Sequence, residues 1–154
     1  MSLGYKERTM EVFTILVSGL VATSVMTLFS YVVSNFKSKQ FREPELLNSL
    51  ISRAVIISLK PSRNHFLGWL IHYLIGWFFV LIFSLIWEFT QFSATIISGA
   101  VLGLAAGIIG IFGWKIMFKL NQNPPEIDFS QFYLQLIIAH ILFGISAAMV
   151  YSLI

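Results

Sequence analysis

The sequence predicts an all-α membrane protein: four transmembrane helices, arranged as two parallel-related helical hairpins in a bundle, plus one short amphipathic loop helix. Three observations predict it. The 154-residue chain is 57% hydrophobic and only 11% charged, where a soluble domain is about 25% charged. Its apolar residues fall into four blocks, each at least the roughly 20 residues that cross a hydrocarbon core of about 30 Å. The second and fourth blocks repeat one His-x3-Gly pattern. One integral membrane domain over residues 1–154 holds all four blocks, with spans at about 12–34, 65–87, 94–118 and 130–154.

Composition excludes several classes. There is no cysteine, hence no disulfide and no thiolate metal site. The net charge is only +3. The basic residues lie beside apolar blocks, where they act as topology signals, and no nucleic-acid partner is expected.

Residues 1–11 are polar, with Lys6, Glu7, Arg8 and Glu11. The apolar run at 12–33 exceeds the roughly 7–15 residues of a signal-peptide core, and no small-x-small cleavage site follows it, so an uncleaved first span is expected. That span carries Ser18, Gly19, Ala22, Thr23, Ser24, Thr27 and Ser30, small or hydroxyl residues that allow close helix approach.

The loop at 35–64 is basic, with Lys37, Lys39, Arg42, Arg53, Lys60 and Arg63 against Glu43 and Glu45. Within it the spacing of Leu46, Leu47, Leu50, Ile51, Ala54 and Val55 predicts a helix over about 44–59. Pro44 suits its first position and Pro61 lies past its end. Such a helix either lies on the membrane face or packs under the bundle, or it is a loop helix with no lipid role.

The second span contains Gly68, His72 and Gly76 on one face. The third has glycines at 99, 103, 107, 110 and 113. Gly99, Gly103 and Gly107 form a doubled small-x3-small stripe, which predicts close packing against this chain or a second copy. A polar loop at 119–129, broken by Pro124 and Pro125, leads to the fourth span. Trp69, Trp87 and Trp114 suit interfacial aromatic belts, and Trp77 sits deeper.

Counting Lys and Arg orients the chain. Lys37, Lys39, Arg42, Arg53, Lys60, Arg63, Lys115 and Lys119 share one side, with only Lys6 and Arg8 on the other. Both long loops are therefore expected in the cytoplasm and both termini outside.

The His72–Gly76 pattern matches His140–Gly144 in register, and the match runs on to Ser84-Leu85-Ile86 against Ser152-Leu153-Ile154, six identities in fifteen positions. A weaker match pairs 17–21 with 97–101. The expectation is an internal repeat whose axis lies along the membrane normal. The fragments GLVATSVMTLFSY, HYLIGWFFVLIFSLIW and HILFGISAAMVYSL resemble the small bacterial inner-membrane proteins related to YagU, with their ATxxM first helix and H-x3-G motif. The loop at 35–64 matches loosely. The resemblance implies a four-helix protein of the bacterial inner membrane, and it implies no reaction.

His72 and His140 are the candidate site, at similar depths of about 10 and about 15 Å into their spans. Ionisable residues so placed mark functional sites. Four roles are open. Each histidine ties helices together through a hydroxyl or carbonyl, with Ser18 and Ser98 as expected partners. The pair lines a proton or small-solute pathway. It ligates haem b from both faces. Or it lines a cleft for a lipid or quinone. Zinc is disfavoured because no carboxylate is expected nearby: Glu88 is sixteen residues, about 24 Å, from His72. His65 is expected at the interface. Gly19, Gly68, Gly76, Gly99, Gly103, Gly107 and Gly144 are the candidate packing residues. No catalytic constellation is present, so the expectation is a non-enzymatic structural or interaction subunit. It contacts membrane lipid and a second copy or another membrane protein, and by default it carries no cofactor.

Overall fold

A computed structural model describes residues 2–54 and 57–154, with side chains from Thr9 onward. It contains five helices: α1 Ser2–Lys37, α2 Glu43–Arg53, α3 Phe66–Phe89, α4 Ile96–Leu120 and α5 Phe129–Leu153. Thr9–Lys37 of α1 and the whole of α3, α4 and α5 are long and apolar enough to cross a bilayer. The chain is thus a multi-pass membrane protein by length and composition.

Helix boundaries follow local chemistry. α1 starts at Ser2, ten residues before the expected span, because its polar head has no proline to stop the helix. The side chains of Lys6 and Arg8, on which the orientation count leans, lie outside the described residues. α1 ends where Ser38 takes a left-handed φ of 51°, a helix-terminating conformation. His65 caps α3 by accepting from the Leu67 amide at 3.2 Å. It is the capping residue of this helix. Thr95 and Ser98 form a reciprocal capping box on α4. Asp128 caps α5 by accepting from the Gln131 amide at 3.1 Å.

α2 is shorter than the expected 44–59. It ends at Arg53, and Ala54 is extended with ψ 128°. Val55 and Ile56 lie outside the described residues, and residues 57–61 are not helical. The β-branched run Val55-Ile56-Ile57 is a poor helix former, which accounts for the early stop. Of the positions offered for this helix, the bundle underside is the one observed. Leu46, Leu47 and Leu50 are buried with Phe41, Trp114, Phe118, Phe132 and Leu136. Asn48 clamps α2 to the start of α3: its amide donates to the carbonyls of Arg63 at 3.0 Å and His65 at 2.6 Å, and its oxygen accepts from the Gly68 amide at 2.8 Å. The two long loops meet on this side, where Asn121 donates to the Leu50 carbonyl at 2.9 Å and Lys39 pairs with Asp128 at 2.6 Å.

The helices pack in the order α4, α5, α1, α3, each closely against the next. α3 and α4, the two ends of that row, are not closely packed. A seam therefore runs between them. Across the middle, Phe79 and Phe83 of α3 reach ring partners on α5: His140 at 6.3 Å and Phe143 at 5.9 Å. Trp87 and Trp114, both near span ends, are buried within the protein. Trp87 lies 5.1 Å from the Tyr151 ring and Trp114 lies 5.4 Å from Phe132, so intrachain aromatic partners hold them in the core.

Candidate functional site

Glycine decides where these helices touch and where they stay apart. A Cβ on Gly99 or Gly103 would run into the α5 backbone at Gly144 or His140, and one on Gly144 would meet Gly99 and Gly103. Gly107 faces the His140 Cβ at 3.1 Å. The stripe on α4 is thus occupied by α5 of the same chain. On the other hairpin, Gly76 faces Thr23, Gly19 faces Trp77, and Gly68 faces Pro44 and Asn48. Further along α4 the pattern changes. A Cβ on Gly110 would be only in ordinary contact with the His140 ring, and one on Gly113 would meet nothing within 4 Å.

The space left open is a cavity of about 180 Å³ under the seam. Glu43, His72, Gly76, Gly110, Gly113 and His140 all line it. Its lining includes Ile75 of α3 and Ile109 of α4, which are 43% and 58% exposed on the outer surface of the spans. The opening therefore faces the lipid side of the bundle.

His72 is 6% exposed, and its Nε2 lies 3.0 Å from the Thr27 hydroxyl of α1. His140 is 8% exposed, and its Nδ1 lies 2.8 Å from the Leu136 carbonyl one turn back. Neither ring reaches the serines expected as partners. Ser18 is buried with its hydroxyl unpartnered, and Ser98 is engaged in the α4 cap. The expectation of hydroxyl ties holds in kind for His72, with Thr27 in place of Ser18. In α3 and α1 the rotational register puts Thr27, not Ser18, opposite the ring.

The third polar group is one that the sequence places among the charges of the basic loop. Glu43 opens α2, is 1% exposed, and lines the same cavity as both histidines. This corrects the expectation that no carboxylate lies near them. Its Oε1 accepts from the Ser30 hydroxyl at 2.8 Å and from the Gln135 amide at 3.3 Å, and Gln135 also donates to Ser30. Its Oε2 and the Gln135 Oε1 are buried without partners. Burial outweighs these hydrogen bonds and pushes the Glu43 carboxyl from 4.5 up to about 7. A signal did exist in the sequence: Glu43 lies three, four and seven residues before Leu46, Leu47 and Leu50, on the apolar face of α2. By contrast, Glu45 is drawn to the surface network. Burial raises its carboxyl, but Arg42 at 2.9 Å, Arg63 at 2.6 Å and Gln40 outweigh that and hold it below its usual range.

Among the described residues no three His, Asp or Glu side chains are close enough to hold a metal ion. The site is a small, mainly apolar chamber with a few convergent polar groups, the usual composition of a small-molecule pocket. No family model, no curated protein and no solved structure matches the chain.

Proposed function

We propose that this chain is a small non-enzymatic protein of the bacterial inner membrane that binds a lipophilic molecule in the cavity between α3 and α4. The observation that carries the reading is the coincidence of His72, His140 and Glu43 on one lipid-facing chamber. Burying three ionisable groups in an apolar bundle is costly, and such groups mark ligand or ion sites by default. Had they served only to tie helices, they would not need open space beside them.

Size narrows the ligand. A cavity of about 150 Å³ takes one benzene ring, and this one is about 180 Å³. It suits a head of one six-membered ring with a tail leaving past Ile75 and Ile109. A tetrapyrrole is several times larger. In addition, His72 has its Nε2 engaged with Thr27, the atom that would ligate iron. The residues do not fit haem b in this arrangement. The glycine stripe, taken up by α5, lends no support to a homo-oligomer.

The proposal includes the orientation and the repeat. The basic side holds both long loops, which favours loops inside and termini outside. Carried along the match of 17–21 with 97–101, an offset of 80 residues, Thr23 corresponds to Gly103 and Thr27 to Gly107. Gly76 faces Thr23 as Gly144 faces Gly103, and His72 meets Thr27 as His140 meets Gly107. These paired contacts support a duplicated hairpin. The two hairpins are nonetheless not closed by a two-fold, since α1 packs on α5 while α4 stands off α3. Kinship with the YagU-related proteins belongs to the same proposal, carried by the fragments that resemble them.

Native mass spectrometry of the full chain released from its own membranes tests the reading. The parent carries a lipophilic molecule at one per chain. Gly113→Leu, whose side chain enters open space, folds but carries none. Equal loading of the two proteins overturns the proposal.

A further inference from the structure

The hydrogen-bond network around the cavity assigns a tautomer to each histidine, and the tautomers select the ligand's chemistry. Thr27 has one hydroxyl proton, and its Oγ1 lies 2.6 Å from the Thr23 carbonyl, which can only accept. That proton is therefore committed. In the contact between Thr27 and His72 Nε2 the ring must be the donor. A neutral His72 then carries its proton on Nε2 and has a bare lone pair on Nδ1. For His140 the partner of Nδ1 is the Leu136 carbonyl, again an acceptor only. A neutral His140 is therefore protonated on Nδ1 and bare on Nε2. Neutral rings are the low-energy state at this depth in a bilayer.

Neither His72 Nδ1 nor His140 Nε2 has a hydrogen-bond partner among the described residues, and both rings line the cavity. His140 Nε2 lies 3.4 Å from where a Gly110 Cβ would be, on the glycine wall that makes the room. The two imidazoles thus present lone pairs, and no free N–H, to the chamber. Glu43, which also lines it, keeps a buried Oε2 without a partner.

We infer that the ligand is a hydrogen-bond donor: a lipophilic alcohol, phenol or hydroquinone that donates its O–H to His140 Nε2. An acceptor-only head such as a quinone carbonyl, an ester or an ether is a poor fit, because it would leave the imidazole lone pair unpaired. The inference rests on the reading of the cavity as a ligand site.

The test uses the full chain in lipid nanodiscs, with 4-nonylphenol and its methyl ether 4-nonylanisole as probes of nearly equal size. The phenol binds saturably and about tenfold tighter than the ether, the effect of one well-placed hydrogen bond to a buried acceptor. His140→Phe, which keeps a ring but removes the lone pair, erases most of that preference. Nitrogen-15 spectra of histidine-labelled protein provide a readout that does not depend on any variant folding. Without probe, His140 shows an unprotonated Nε2, whose resonance shifts when the phenol binds. Equal affinity for phenol and ether, with binding abolished by Gly113→Leu, overturns the donor inference and keeps the site. A protonated Nε2 in the free protein at neutral pH overturns it as well. No saturable binding of either probe overturns the ligand-site reading itself.

Discussion

Replacing Glu43 with Gln should stabilise the protein at high pH and remove a pH dependence that the parent shows. The carboxyl is buried, and its proton is held from an ordinary 4.5 up to about 7. A displacement of that size corresponds to about 3 kcal/mol between the two protonation states. The sign follows from which state keeps the proton. Below pH 4.5 folded and unfolded chains are both protonated at this position. Between pH 4.5 and about 7 the unfolded chain releases the proton and the folded chain does not, so stability falls as pH rises. Above about 7 both are ionised and the loss levels off. In the Glu43→Gln variant the side-chain amide is neutral at every pH, and its oxygen still accepts from Ser30. The parent should therefore lose about 3 kcal/mol relative to Glu43→Gln between pH 5 and pH 8. The assay is unfolding of both proteins in detergent micelles at a series of pH values. Taking the difference cancels other titrating groups near the site, including His72, His140, Tyr31 and Glu45. Parallel pH profiles for parent and variant would refute the burial argument.

Two further outcomes concern packing. Gly113→Ala should gain about 0.5–1 kcal/mol, the ordinary helix preference for alanine, because its Cβ enters open space. Gly103→Ala should lose about 1–3 kcal/mol, because its Cβ meets the α5 backbone at His140; similar effects of the two substitutions, read by thermal unfolding, would contradict the account of where α4 touches α5. Asn48→Leu removes three hydrogen bonds that clamp α2 to α3, a loss of about 3 kcal/mol at roughly 1 kcal/mol each. Limited proteolysis should then cut the 54–64 loop much faster than in the parent, and an unchanged rate would show that α2 is held by its leucines alone.

The four crossings were legible because a span announces itself by the length of its apolar run, a property of one segment. Properties of pairs were harder to read. Gly99, Gly103 and Gly107 declared a close contact, but a stripe of small residues does not name its partner, and α5 turned out to be the occupant. Ser18 and Thr27 both lie on the first span, and only the rotation of α1 against α3 decides that Thr27 meets His72. Trp87 and Trp114 sit near span ends, as belt residues do, but aromatic partners from α5 draw them inward. Glu43 was hidden by its company. In a loop with six basic residues a lone carboxylate reads as a counter-charge, and Glu45 does behave that way. The helical register of α2 separates the two acids, sending Glu45 to the arginines and Glu43 to the cavity. The seam between α3 and α4 had no local signature beyond Gly110 and Gly113, which fall outside the stripe of Gly99, Gly103 and Gly107.

The central claim is that a ring-sized chamber opens to lipid between α3 and α4. Photolabelling with a hydrophobic aryl diazirine dissolved in the membrane, followed by mapping of adducts by mass spectrometry, tests it most directly. The probe should mark lipid-facing residues such as Leu28 and Ile97, and also Leu136 and Phe143, which are buried but line the cavity. Gly113→Leu should abolish the adducts at Leu136 and Phe143 while leaving those at Leu28 and Ile97. Adducts confined to the lipid-facing residues in the parent, or unchanged at Leu136 and Phe143 in the variant, would contradict the account.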